Sequence, residues 1–173
     1  MLSVALPNKP LIAQAVDAYE FRPATVADIK SLVILYEDFF NESALPSRGL
    51  TYDPQRMWSW LYNGIGSSDI PHLIARERSV GSPLVGAACY TMNHTFTTEP
   101  FADLNKCFVR RGWRRSAVGR ILVMLLLELA RADGAVLFQA GISSGMQELA
   151  SFKNLLLKLG FEETDATLLI RRF

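Results

Sequence analysis

Between Arg115 and Gly134 the chain reads R-S-A-V-G-R-I-L-V-M-L-L-L-E-L-A-R-A-D-G, a helix-length stretch that is apolar almost all the way round. Arg120, Glu128 and Arg131 are its main interruptions. An ordinary surface helix hides a single stripe, whereas this one demands cover on more than one side. Its longest near-apolar run, Ile121 to Ala130, contains Glu128 and is too short to span a bilayer. The rest of the chain must therefore bury it, which requires a sheet and further helices in layers. With 173 residues, half of them apolar, there is material for one domain and one sizeable core.

Several function classes drop out on composition. Eighteen basic against seventeen acidic side chains leave a net charge of +1, without the basic excess of a nucleic-acid binder or a polybasic membrane protein. The two cysteines, Cys89 and Cys107, lie in apolar alternating runs. They are too few for a disulfide framework and lack the close Cys/His spacing of a structural zinc site, so free buried thiols and no metal are expected. The opening MLSVALPNKP has no basic segment ahead of an apolar stretch, so no secretory signal is expected and the cytoplasm is the default location.

Residues 1–18 show no clear periodicity and read as an N-terminal extension to a domain over 19–173. Tyr19 to Arg22 predicts a short strand ending at Pro23. Thr25-Val-Ala-Asp28 is a capping box, and apolar residues at Ile29, Leu32, Val33, Tyr36 and Phe40 predict a helix over 26–41. Asp53-Pro54 opens a second helix that closes near Gly64. Strands are expected over 72–78, 84–94 and 103–110, then the long helix over 115–133. A strand over 135–142 has the continuous apolar character of a buried sheet. An amphipathic helix over 146–159, with Leu149, Phe152, Leu155, Leu156 and Leu159 inward, and a closing strand over 167–173 complete the order. The fold class is α/β (α+β): a mixed, mostly antiparallel central sheet with helices on both faces.

The segment V-R-R-G-W-R-R-S-A-V-G-R-I-L-V, Val109 to Val123, places an arginine-rich turn of small residues between a strand and a long helix. The unpaired N–H groups and dipole of such a helix start suit a pyrophosphate. This segment resembles the coenzyme A loop of the GNAT acetyltransferase superfamily, Gln/Arg-x-x-Gly-x-Gly/Ala. Arg114 stands at the first position, Ala117 replaces the first glycine and Gly119 fills the last. Leu159-Gly160-Phe161 after an amphipathic helix, and Arg22-Pro23-Ala24-Thr25 with Asp28, resemble the family's closing and opening segments. The likeness covers roughly residues 19–173.

The resemblance implies acetyl transfer from acetyl-CoA to an amine. It implies CoA contacts along Arg114, Arg115, Ser116, Ala117, Val118, Gly119 and Arg120, with Ser143 and Ser144 near the pantetheine arm or the acceptor. Thioester attack needs a donor for the carbonyl oxygen, and a backbone N–H around Cys107, Phe108 and Val109 is suited to it. It also needs a base, since an ammonium cannot attack. Asp103, six residues before Val109, occupies a position where family members place a glutamate; His94 is the second candidate. Where many relatives carry a tyrosine acid and an asparagine, this chain has Leu156 and Leu149. Three readings stay open: the thiolate leaves unprotonated, Tyr90 supplies the proton, or the chain is a GNAT-like CoA-binding or interaction protein without turnover. A longer acyl-CoA is also compatible with the sequence.

Acceptor recognition is expected from the two early helices and the loop at 41–52. Glu37, Asp38 and Glu42 with Phe39, Phe40, Trp58 and Trp60 would suit a cationic amine. Trp58 and Trp60, two apart, cannot both face one side of a helix, and an exposed one would fit a homodimer.

Overall fold

Strand β1 (Tyr19–Pro23) enters the domain alongside β2 (His72–Glu77), and the two pair antiparallel. Both belong to a computed structural model that describes residues 17–66, 70–79, 81–95, 97–141 and 149–163. Between them the chain forms helices α1 (Ile29–Glu42) and α2 (Pro54–Gly66). A capping box and a short 3-10 turn lead into α1, and Asp53 caps α2 by accepting the Gln55 and Arg56 N–H groups, each at 3.0 Å. Strands β3 (Leu84–Asn93) and β4 (Phe101–Val109) continue the antiparallel sheet. A 3-10 turn, helix α3 (Val118–Ala132), strand β5 (Leu137–Ala140) and helix α4 (Leu149–Lys158) follow. Among the described residues the strand order is β1-β2-β3-β4-β5, and only β4 and β5 run parallel.

The sheet separates two cores. On one face α1 and α2 bury Ile29, Leu32, Leu35, Tyr36 and Leu61 against Ile74, Leu84, Ala87 and Phe108. On the other, α3 buries Val118, Leu122, Leu126 and Ala130 against Leu73, Val85, Ala88, Tyr90 and Val109. Side chains alternate across each strand, so neighbours such as Ala87 and Ala88 serve opposite cores. Gly86 lets α3 approach: a Cβ there would meet the Phe108 carbonyl at 3.0 Å and Leu122 and Val109 at 3.2 Å.

Three expectations need correction. Helix α3 begins at Val118 rather than Arg115, because Arg111–Trp113 turns as a 3-10 segment and the next four residues are held as a loop. Strand β5 is shorter than 135–142 and is not buried: Val136 is 69% and Leu137 56% exposed. Among the described residues it pairs with β4 alone. Its expected neighbour over 167–173 lies outside the described residues, as do Ser143 and Ser144. On α4, Leu156 is buried, Phe152, Leu155 and Leu159 are half-buried, and Leu157 is exposed. Trp58 is 44% exposed, whereas Trp60 packs under α1.

Candidate active site

The site grows from an interruption in β4. Cys89 opposes Lys106 and Tyr90 opposes Leu104, which leaves Asn105 as an extra, bulged residue. Parallel pairing with β5 runs from Phe101–Leu137 to Leu104–Ala140 and ends there among the described residues. Beyond the bulge, β4 continues from Lys106 to Val109 without a β5 partner. Among the described residues this leaves the Lys106–Val109 edge of β4 open, a wedge before the turn that leads to α3.

Register decides which amides face that wedge. Arg110 donates its N–H to the Val85 carbonyl at 2.9 Å, and antiparallel hydrogen-bonded pairs alternate. By that alternation Phe108 and Lys106 direct their backbone groups at β3, while Cys107 and Val109 direct theirs towards the open side. The expectation for Phe108 is corrected accordingly, because its N–H is spent inside the sheet and its ring is buried against Phe39. The Cys107 thiol is also a poor nucleophile, since burial pushes its pKa up to about 12. Both cysteines are free.

The turn from Arg110 to Ala117 is pinned on several sides. Arg110 pairs with Asp38 of α1 at 2.9 Å, and Arg114 pairs with Glu42 one turn further along α1. Arg114 also donates through Nε to the Val109 carbonyl at 2.8 Å and stacks over the Phe108 ring. The Trp113 indole N–H reaches Glu77 on β2 at 2.7 Å. Ser116 donates its hydroxyl to the Trp113 carbonyl at 2.6 Å and accepts the Val118 N–H at 3.3 Å. These contacts leave the turn fixed before any ligand arrives, which lowers the ordering cost of binding. Asp38 and Glu42, read from sequence as acceptor-binding acids, instead hold this turn, a correction imposed by their arginine partners.

What the turn offers is unsatisfied donors. Among the described residues no backbone acceptor is recorded for the amides of Gly119 and Arg120 in the first turn of α3. The buried Arg120 Nε likewise lacks a partner there. Open amides at a helix start suit an anion such as a pyrophosphate. Val118 contributes only backbone, because its side chain is fully buried in the core. Arg115 is exposed.

Asp103 lies where β4 and β5 are still paired. Ala102 and Leu104 pack towards α3, so Asp103 points to the α1–α2 face. Asn93 on β3 donates to its Oδ2 and Gln139 on β5 to its Oδ1. These two amides fix the carboxylate while leaving lone pairs for a proton. His94 is exposed just beyond β3. Tyr90 is a correction: its side chain is fully buried, it packs edge-on against Phe138, and its hydroxyl donates to Asp133 at the end of α3. Burial first, and that carboxylate second, push the Tyr90 pKa far up and commit its proton to a core bond. Leu156 is 4% exposed, a core residue and no acid; Leu149 starts α4.

On the α1–α2 face a cavity of about 310 Å³ opens beside β4. Phe40, Tyr52, Met57 and Trp60 wall it, with Asn105 and Lys106 of the bulge. The Asn105 amide donates at 3.1 Å to Thr91, the residue opposite Asp103 on β3. Sequence reading did not single out Asn93, Gln139, Arg110 or Lys106. A hint lay in the apolar–polar alternation around 103–107, which the bulge then disturbs.

The described residues contain no cluster of metal-ligating side chains and no helix long and apolar enough to cross a membrane. A family model described as the acetyltransferase (GNAT) family matches residues 32–161. The chain belongs to this family. The GNAT fold is borne out by solved structures. The aminoglycoside N-acetyltransferase AAC(6')-Iy in complex with CoA superposes with a TM-score of 0.71 at 16% identity, covering 89% of this chain and 94% of that chain. The aminoglycoside antibiotic 6'-N-acetyltransferase AAC(6')-Ih from Acinetobacter baumannii gives 0.66 at 14% identity over 90% of this chain and 98% of its own. A structure described as a probable acetyltransferase gives 0.69 at 19% identity over 89% and 99%. No curated protein matches the sequence.

Proposed function

We propose that this GNAT chain binds acetyl-CoA at the wedge between β4 and β5 and transfers the acetyl group to a primary amine by direct attack on the thioester. The observation that carries the reading is the juxtaposition of the unpaired Gly119 and Arg120 amides with the open Cys107 and Val109 edge of β4. Acetyl-CoA supplies an acyl group activated as a thioester. The turn from Arg114 to Arg120 holds the pyrophosphate through backbone N–H groups and the Arg120 guanidinium. The Cys107 or Val109 amide donates to the carbonyl oxygen as charge develops on it. Asp103, held by Asn93 and Gln139, takes the proton from the attacking amine. No tyrosine acid stands on α4, so the thiolate departs as the anion, which is feasible for a thiol that titrates near 8.5.

The experiment is steady-state release of free CoA from acetyl-CoA in the presence of a panel of primary amines. Amine-dependent release above slow hydrolysis is the expected result. A second reading, CoA binding without turnover, draws on the buried Leu156 and the sequestered Tyr90. Binding of acetyl-CoA with no amine-dependent release would favour it.

A further inference from the structure

The bulge does more than open the wedge. It puts two consecutive side chains, Asn105 and Lys106, on the same sheet face, where both line the cavity. The Lys106 ammonium lies 5.2 Å from the centre of the Trp60 ring. Three charged residues line this cavity: Asp53, Arg56 and Lys106. Asp53 and Arg56 pair with each other at 3.3 Å, and Asp53 is further spent as the cap of α2. Of the acids nearby on α1, Asp38 and Glu42 are consumed by Arg110 and Arg114, and Glu37 is exposed and does not line the cavity. Lys106 is therefore the one lining charge with no opposite partner among the described residues. The remaining wall is apolar or aromatic: Phe40, Met57, Trp60 and Tyr52, whose hydroxyl is turned to the Val33 carbonyl at 2.7 Å.

A cavity with one unpaired cation and an aromatic wall rejects polycations and attracts a single anion attached to an apolar body. Its volume stands at the low end for small-molecule clefts, so the occupant is small. We infer that the acceptor amine carries a carboxylate beside an apolar or aromatic group, with Lys106 binding the carboxylate and Trp60 and Tyr52 flanking the apolar part. The amine is then directed past Asn105 and Thr91 towards Asp103. One positive charge matches a monoanionic carboxylate better than a dianionic phosphate. Lys106 is thus a specificity-determining residue, and the inference rests on the transferase reading of the same site.

The test compares phenylalanine, phenylalaninamide, phosphoethanolamine and spermidine with wild-type protein and Lys106→Gln, reading kcat/KM from CoA release. In parallel, tryptophan fluorescence reads binding of phenylalanine and its amide in the presence of CoA. Wild-type protein should favour phenylalanine over the amide by about tenfold or more, the worth of a hydrogen bond to a charged group. Lys106→Gln should lower phenylalanine turnover towards that of the amide and so remove the preference. Equal or better turnover of the amide, phosphoethanolamine or spermidine by wild-type protein would overturn the inference and leave the transferase reading intact. Selective binding of phenylalanine that Lys106→Gln abolishes, without CoA release, would sustain the pocket and overturn transfer. Absence of selective binding together with absence of release would overturn both.

Discussion

Asp28 shows how one side chain can serve several elements at once. Its carboxylate accepts two bonds from Arg22 at 2.7 and 2.8 Å, lies 3.6 Å from Arg76, and takes both the N–H and the hydroxyl of Thr25 at 2.9 Å. The Arg22 guanidinium holds its pKa down at about 2, against a usual 3.8. The folded value is depressed, so this stability is present above about pH 4 and is lost as pH falls towards 2. His72, buried beside Trp60, has its pKa lowered by desolvation and adds a loss as pH falls below its usual 6.5. Stability measured by denaturant titration should therefore decline in two stages on acidification. Asp28→Asn should cost about 2 kcal/mol at neutral pH and flatten only the lower stage. An unchanged lower stage would remove Asp28 from the account. Asp103→Asn should reduce turnover by about a hundredfold or more and change the pH profile of kcat/KM, the signature of a lost general base. His94→Gln should leave both nearly unchanged; the reverse pattern would move the base to His94. Asp28 was legible from sequence as a cap, yet not as the partner of Arg22 and Arg76, because those contacts depend on strand pairing. Glu42 illustrates the same limit: its partner Arg114 is 72 residues away, and a charge on a helix face looks alike whether it meets solvent, substrate or an arginine.

Strand β3 and helix α3 meet at the closest approach between sheet and helix, and Gly86 permits it. A methyl there meets a carbonyl oxygen at 3.0 Å and two core side chains at 3.2 Å, so Gly86→Ala should destabilise by about 1–3 kcal/mol through overpacking. A shift in denaturation midpoint at constant slope would register it. Gly119 is different. A Cβ there would make ordinary contacts, 3.5 Å to Val109 and 4.0 Å to Leu155, in the gap between β4 and α4. Gly119→Ala should fold normally, while Gly119→Glu should abolish acetyl-CoA binding by putting a carboxylate into the anion site. Retained affinity in Gly119→Glu would remove the loop assignment. Periodicity revealed α1, α2, β3 and the apolar α3, because each has a long, regular pattern. It overran the start of α3, where side-chain anchors from β2 and α1 override helix propensity. It also misjudged β5, where Leu137 is exposed while Phe138 packs against the α3-side core. The bulge at Asn105 left one trace in the sequence, the consecutive polar pair Asn105–Lys106 that breaks the alternation of β4.

At the scale of the whole molecule, the described residues form a five-stranded sheet with α1 and α2 on one face and α3 on the other. This architecture was legible because element order, the Arg114–Gly119 motif and the closing Leu-Gly-Phe agree with one another. The site was only partly legible: Asp103 and the α3 turn could be named, but the pinned arginines and the Lys106 cavity arise from pairing between distant segments. The α3 turn and the open β4 edge before it are the proposed seat of acetyl-CoA. A thermal unfolding scan with and without saturating acetyl-CoA tests it most directly. A ligand at about one hundred times its Kd adds roughly 2.7 kcal/mol, equivalent to several degrees in Tm for a domain of this size. Binding at this seat should give such a rise for the wild-type chain and none for Gly119→Glu. An unchanged wild-type Tm would contradict it.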